Sequence, residues 1–382
     1  MGFKRITYSI APDSCGNEYS VNPFSYDNSY LILLRSNLPS ILDHFGLFDG
    51  SGKFLRNLPI TANEEPRFSL IDAKKLSFTR GNTFMGMNVE SGAVWVEYTF
   101  TEYVSLKNYG ESDISDDSEH FVLAGVKKNG TIKVFTYSTT EGKGPVYPQT
   151  LPIDGLKITR ISNEIILSRN SDPHKPTDGI FILTPNGERR LTDADEHACV
   201  ATYKGRDVLL WAESDTENAC VMIDVETGAR TTLALQLPWD YAIHISAPRD
   251  LPWCVVSTDC PDHKLPAQVW KVYYDNKIPS ELICEPDSVF TGYSSEVMAA
   301  VPPDGTKIVG RSNFGKTDNP DYCDVWMVDL PPTQPSPDPD PIVETDSYGE
   351  KWENRGSLPF EAGKDLLDFN AEAKSITVYR RK

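Results

Sequence analysis

The chain has 382 residues, 24% charged and 39% hydrophobic, a balance that excludes a wholly disordered protein and leaves room for one large domain or two ordinary ones. A formal net charge of −18 repels phosphate backbones, so no nucleic-acid partner is expected. No apolar run approaches the roughly 18 residues of a membrane helix, so no membrane span is expected either.

Taken in chain order, the sequence repeats itself. A polar turn precedes a β-rich run at Ser25-Tyr26-Asp27-Asn28, Ser69-Leu70-Ile71-Asp72, Ser115-Asp116-Asp117-Ser118 and Thr159-Arg160-Ile161-Ser162. The series continues at Ala201-Thr202-Tyr203-Lys204, Ala247-Pro248-Arg249-Asp250 and Pro302-Pro303-Asp304-Gly305. Successive turns start 44, 46, 44, 42, 46 and 55 residues apart. That period is the length of a four-stranded propeller blade. Apolar runs follow each turn, from Leu31–Ser36 in the first repeat to Lys307–Ser312 in the last. Asn186-Gly187 and Thr227-Gly228 supply the positive φ of tight hairpins between later strands. The expected fold is therefore all-β: a seven-bladed β-propeller of four-stranded antiparallel blades over residues 1–330.

The seventh repeat runs out of chain before its fourth strand, because Pro331-Pro332 follows Leu330. At the other end, Lys4-Arg5-Ile6-Thr7 resembles Arg189-Arg190-Leu191-Thr192, a fourth strand of the fourth repeat. Residues 3–10 are therefore expected to pair with Asp324–Leu330, closing the ring by the N-terminal strand and covering an open sheet edge. Beyond it, Pro331–Pro341 carries six prolines in eleven residues, so residues 331–346 read as a Pro/Asp-rich linker. Residues 347–382 read as a small C-terminal β segment, or as a tail that docks on a protein partner.

Seven cysteines without a CxxC pair argue against a zinc ribbon or a redox dithiol and read as buried thiols. The opening Met1-Gly2-Phe3-Lys4-Arg5 lacks the apolar core of a signal peptide. It points to the cytoplasm or to a mature chain, while the proline-rich tail tips the expectation towards the periplasm or cell exterior.

In a propeller, polar residues just before the inner-strand turns converge on a central channel. Those positions hold Arg67, Glu111, Lys157, His197, His244 and Glu296. His197 and His244 occupy matching places in consecutive repeats, and imidazole suits general-base work or metal ligation. Trp239, Tyr241 and Tyr293 offer faces on which a sugar ring can stack. The other reading of every such position is a water-filled channel lining. Gly-x-Ser-x-Gly, P-loop and dinucleotide fingerprints are absent, which disfavours peptidase, kinase and dehydrogenase readings.

The turns Pro302-Pro303-Asp304-Gly305 and Ala247-Pro248-Arg249-Asp250 resemble the Ser-Pro-Asp-Gly turn of Tol-type propellers. The repeat order, the N-terminal closing strand and the two histidines together resemble the oligogalacturonate lyases. That resemblance implies His197 as the catalytic base and His244 as a manganese ligand. The family's remaining metal ligands, a glutamine and two histidines, fall on Tyr293, Glu296 and Met298, so the metal set is incomplete and Glu296 is its one hard donor. A cation, Mn2+ or Ca2+, would then sit at His244 and Glu296. Without one, Arg67, Lys157 or Arg311 would neutralise the developing charge. The expected function is a carbohydrate-directed propeller, a polysaccharide lyase acting on an acidic oligosaccharide. The alternative is a non-catalytic propeller that binds a glycan or a protein.

Overall fold

In a computed structural model, residues 4–7, 13–15, 23–38, 41–107, 109, 114–149, 152–170, 175–193, 198–213, 219–236, 241–259, 267–289, 291, 296–316, 323–331, 343–345, 351–354, 365–370 and 375–381 are described. The chain divides into two compact units, Met1–Pro332 and Thr333–Lys382.

The larger unit is a seven-bladed β-propeller, six blades having four antiparallel strands each. Blade one consists of Asp13–Cys15, Tyr30–Leu38, Ile41–Asp49 and Phe54–Thr61. Blade two consists of Arg67–Phe68, Lys75–Arg80, Thr83–Asn88 and Val94–Thr99, and blade three of Ser105–Lys107, His120–Val126, Ile132–Ser138 and Gly142–Gln149. Blade four runs Gly155–Ile158, Ile165–Arg169, Gly179–Thr184, Gly187–Thr192, and blade five Ala198–Tyr203, Arg206–Glu213, Ala219–Asp224, Arg230–Gln236. Blade six is Tyr241–Ser246, Trp253–Asp259, Gln268–Tyr273 and Glu281–Cys284.

Blade seven is assembled from both ends of the propeller. Lys307–Ser312 and Asp324–Asp329 pair with each other, and Lys4–Arg5 adds the outer strand with Lys4 opposite Met327 and Arg5 opposite Trp326. An isolated bridge between Ala300 and Val309 marks its inner side. The expected closure by the N-terminal strand is thus observed over residues 4–7; the rest of the expected segment, residues 3 and 8–10, lies outside the described residues.

The repeated turn has a local cause. Its first residue is a hydroxyl in four repeats, and in three of them that oxygen accepts the amide five positions on. Tyr30 N donates to Ser25 Oγ at 3.0 Å, His120 N to Ser115 Oγ at 3.0 Å and Glu164 N to Thr159 Oγ1 at 2.7 Å. Six of the seven turns also hold a residue in the left-handed region, and in four of them it is an asparagine, aspartate or glycine, the residues least penalised there. Asn28, Asn163, Asp250 and Gly305 take φ of 58, 58, 54 and 67°.

The core lies between the blades rather than within them. Seven apolar clusters occur among the described residues, one for each gap between neighbouring blades. The gap between blades seven and one holds Val325 and Met327 against Leu31, Leu33 and Phe48, so the ring closes through packing as well as through the strand pair. Of the seven cysteines, the five whose side chains are described are buried free thiols. Trp253 is wholly buried in the core between blades six and seven.

The smaller unit forms a four-stranded antiparallel sheet from Val343–Thr345, Lys351–Asn354, Asp365–Asn370 and Ser375–Arg381, with Ser375–Arg381 paired on both sides.

Candidate functional site

Blades six and seven bring three of the sequence candidates into one contact. His244 lies on the innermost strand of blade six, opposite Ser257. Glu296 precedes the inner segment of blade seven. The Ser257 and Ser246 hydroxyls accept hydrogen bonds from Ala299 N at 3.3 Å and Val301 N at 3.2 Å, which fixes this segment against blade six. The result is a His244 Nε2 to Glu296 Oε2 distance of 3.1 Å, with His244 only 1% exposed. Arg311, buried on the next strand of blade seven, donates from Nε to the Glu296 carbonyl at 2.9 Å.

Burial dominates the electrostatics here. It disfavours a charged imidazole, and the nearby Arg311 guanidinium adds to the effect, holding the His244 pKa down to about 3. The ring is therefore neutral at physiological pH. With Glu296 ionised, Nε2 carries the ring proton and donates it to the carboxylate, leaving Nδ1 as the acceptor.

Arg311 is itself placed by packing. Its carbonyl accepts Trp326 Nε1 at 3.1 Å, and the Trp326 indole lies directly over Gly310. A Cβ at Gly310 would overlap that ring. Gly310→Ala is therefore expected to destabilise the protein by about 1–3 kcal/mol in denaturant unfolding, the range for overpacking a close-packed core.

Arg67 and Lys157 are buried on the innermost strands of blades two and four. The Arg67 guanidinium donates to the carbonyls of Glu65 at 2.8 Å and Pro66 at 3.2 Å and lies 3.8 Å from the Glu65 carboxylate. Tyr241 begins the inner strand of blade six, but its side chain lies outside the described residues, as do His197, Glu111, Trp239 and Tyr293 entirely. Met298 is buried.

A divalent cation at His244 and Glu296 finds a sparse donor set. Among the described residues no group of three or more histidines, cysteines or carboxylates stands together. The two donors are hydrogen-bonded to each other, and a guanidinium charge acts on the histidine. Mn2+ and Ca2+ both take about six or more ligands. These donors alone do not fit either ion.

One feature of the channel carried no recognised signal in the sequence. Arg160, in the turn of blade four, donates to the carbonyls of Ala247 and Pro248 in blade six at 3.1 and 2.9 Å. Arg249, in the turn of blade six, donates to the Ile114 carbonyl at 2.7 Å and pairs with Asp116, both in blade three. Blades three and six face each other across a ring of seven. These two arginines therefore span the channel at the end where the inner strands turn.

No protein-family model matches this sequence, and no curated protein matches it. Solved structures do. An oligogalacturonate lyase in complex with manganese superposes with a TM-score of 0.65 at 13% identity, covering 86% of this chain and 93% of that one. An oligogalacturonate lyase from Vibrio parahaemolyticus gives 0.62 at 13% identity, with the same coverage of 86% and 93%. The β-propeller domain of the Trilobed protease from Pyrococcus furiosus gives 0.50 at 12% identity over 82% of this chain and 96% of that domain. At such identities the likeness is one of fold.

Proposed function

We propose that the channel receives an acidic oligosaccharide at the end where the inner strands begin, and that the protein cleaves it by β-elimination. The observation that carries this reading is the set of three buried cations, Arg67, Lys157 and Arg311, on blades two, four and seven of a chain with net charge −18. Guanidinium and ammonium groups on separate blades can each donate to a carboxylate, and a uronate chain carries one on every sugar. The similarity in fold to lyases of oligogalacturonate agrees with this choice of ligand.

In such an elimination the proton on C5, next to the carboxylate, moves to a base. Its electron pair forms the C4–C5 double bond, the C4–O bond breaks, and the leaving oxygen takes a proton. His244, with a pKa of about 3, is too weak a base to accept a carbon-bound proton near neutral pH. Its place in this reading is to hold the Glu296 carboxylate beside Arg311. The base is assigned to His197 on the resemblance alone. Charge building on the uronate carboxylate is met by Arg311, Arg67 and Lys157.

The test is ultraviolet absorbance of the unsaturated product on pectate, alginate, ulvan and glucuronan oligomers, each with and without manganese or calcium. One substrate should give steady product, and Arg311→Met should lower kcat/KM by about 10²–10³-fold, the cost of removing one preorganised charge contact. Silence across the whole panel would count against catalysis. A second reading, non-catalytic capture of a glycan, is favoured by the near-complete burial of His244; binding on a glycan array without turnover would establish it.

A further inference from the structure

We propose that the turn end of the propeller binds a small monovalent anion of the halide class, held between Arg160 Nε and the Tyr274 hydroxyl. Arg160 belongs to the turn of blade four and passes blade five to reach blade six. There its two Nη groups donate to the carbonyls of Pro248 at 2.9 Å and Ala247 at 3.1 Å. The residue is only 4% exposed. Its Nε has no partner among the described residues, and no carboxylate among them pairs with its guanidinium.

Two other arginines show what this one lacks. Arg249 crosses the ring in the same way, donating to the Ile114 carbonyl, and is paired with Asp116. Arg169 is as deeply buried and holds the Glu188 carboxylate at 2.6 and 2.8 Å. Asp207 stands beside the Arg160 turn, but its oxygens are taken by the amides of Arg160, Ile161 and Ser162 and by the Ser162 hydroxyl. A buried charge is costly unless it is both paired and hydrogen-bonded.

The second donor comes from blade six. Tyr274 packs with Ala247, Cys199 and Cys254 in the core between blades five and six, so it lies against the turn that Arg160 reaches. It is 2% exposed, and its hydroxyl also has no partner among the described residues. Burial pushes its pKa well above the ordinary phenol range, so the group keeps its proton and can donate; the Arg160 charge is near enough to oppose that rise. Two buried donors that do not meet each other, one of them charged, call for an acceptor between them. Water would satisfy the hydrogen bonds and leave the charge, whereas an anion meets both needs. The surrounding wall of Ala201, Ala247, Cys199 and Cys254 favours a halide over sulfate or phosphate, whose further oxygens would find no donors there.

Bromide is the probe, because its anomalous scattering separates it from water. Crystals of the full chain grown in sodium bromide should show an anomalous peak within about 3.5 Å of both Arg160 Nε and Tyr274 Oη. In solution the melting temperature should climb as chloride replaces gluconate at fixed ionic strength, since a ligand of the native state stabilises it by mass action. Tyr274→Phe deletes only a hydroxyl. It should melt with the parent in gluconate yet bind bromide about tenfold or more weakly, the worth of one hydrogen bond to a charged group. Density for water with no anomalous signal, bromide at exposed positions only, or a chloride response unchanged in Tyr274→Phe overturns the proposal.

Discussion

Deleting residues 1–10 is expected to lower the melting temperature of the propeller by more than about 5 °C and to shift the whole transition rather than fray one blade. The reason lies in Asp324, which is wholly buried on the middle strand of blade seven. Arg5 pairs with its carboxylate, and Thr7 Oγ1 donates to Asp324 Oδ1 at 2.8 Å. The same threonine oxygen accepts Val325 N at 2.8 Å, and Ile6 N donates to the Val325 carbonyl at 2.8 Å. Removing one partner of a buried pair costs about 3–5 kcal/mol, because the remaining charge stays desolvated. Strand hydrogen bonds and the packing of Ile6 against the core between blades seven and one are lost as well. Asp324→Asn should cost stability in the full chain and recover part of it in the shortened one. A truncated chain melting within about two degrees of the parent would show that the closure contributes little.

Acid sensitivity traced to His244 is the second large effect. An unfolded chain takes up a proton on this histidine as pH falls through 6.5, whereas the folded protein resists until about pH 3. Between those values the unfolded state binds more protons, so stability rises with pH. The contribution is complete above pH 6.5 and is lost progressively on acidification, by about 1 kcal/mol per pH unit and several in all. His244→Gln should remove this component, giving a flatter dependence of unfolding free energy on pH between 4 and 6.5 than the parent shows. Arg311→Met should narrow the window from its acid end and make the total loss smaller, since one cause of the lowered pKa is gone. Parallel pH profiles for parent and His244→Gln would mean that the ring is not shielded as the geometry requires.

The fold was legible because each turn carries its own chemistry. A hydroxyl at the first position, in four turns, and an asparagine, aspartate or glycine at positive φ at or beside the fourth, also in four, are local demands, so they recur at a readable period. The closing strand was legible for a similar reason, as Lys4–Thr7 has the same alternation as Arg189–Thr192. The site was only partly so. The resemblance placed His244 and Glu296 together, and they are in contact. Why they are in contact depends on Ser246 and Ser257, ordinary strand residues that tie the inner segment of blade seven to blade six. Arg160 and Arg249 sat in turns noted from the sequence, but their partners lie 87 and 135 positions away. No local pattern announces a side chain that reaches across a ring. Nor does one announce how hard Trp326 and Gly310 constrain the strand bearing Arg311.

Diffraction from crystals of the protein soaked in a short oligouronate tests the central claim directly. In the proposed reading, side chains from separate blades form one anion-binding site at the end of the channel where the inner strands begin. A uronate carboxylate should be seen within hydrogen-bonding distance of Arg311, Arg67 or Lys157, entering from the end opposite Arg160 and Arg249. Sugar bound on the outer rim, or a channel that admits none at saturating ligand, would contradict it.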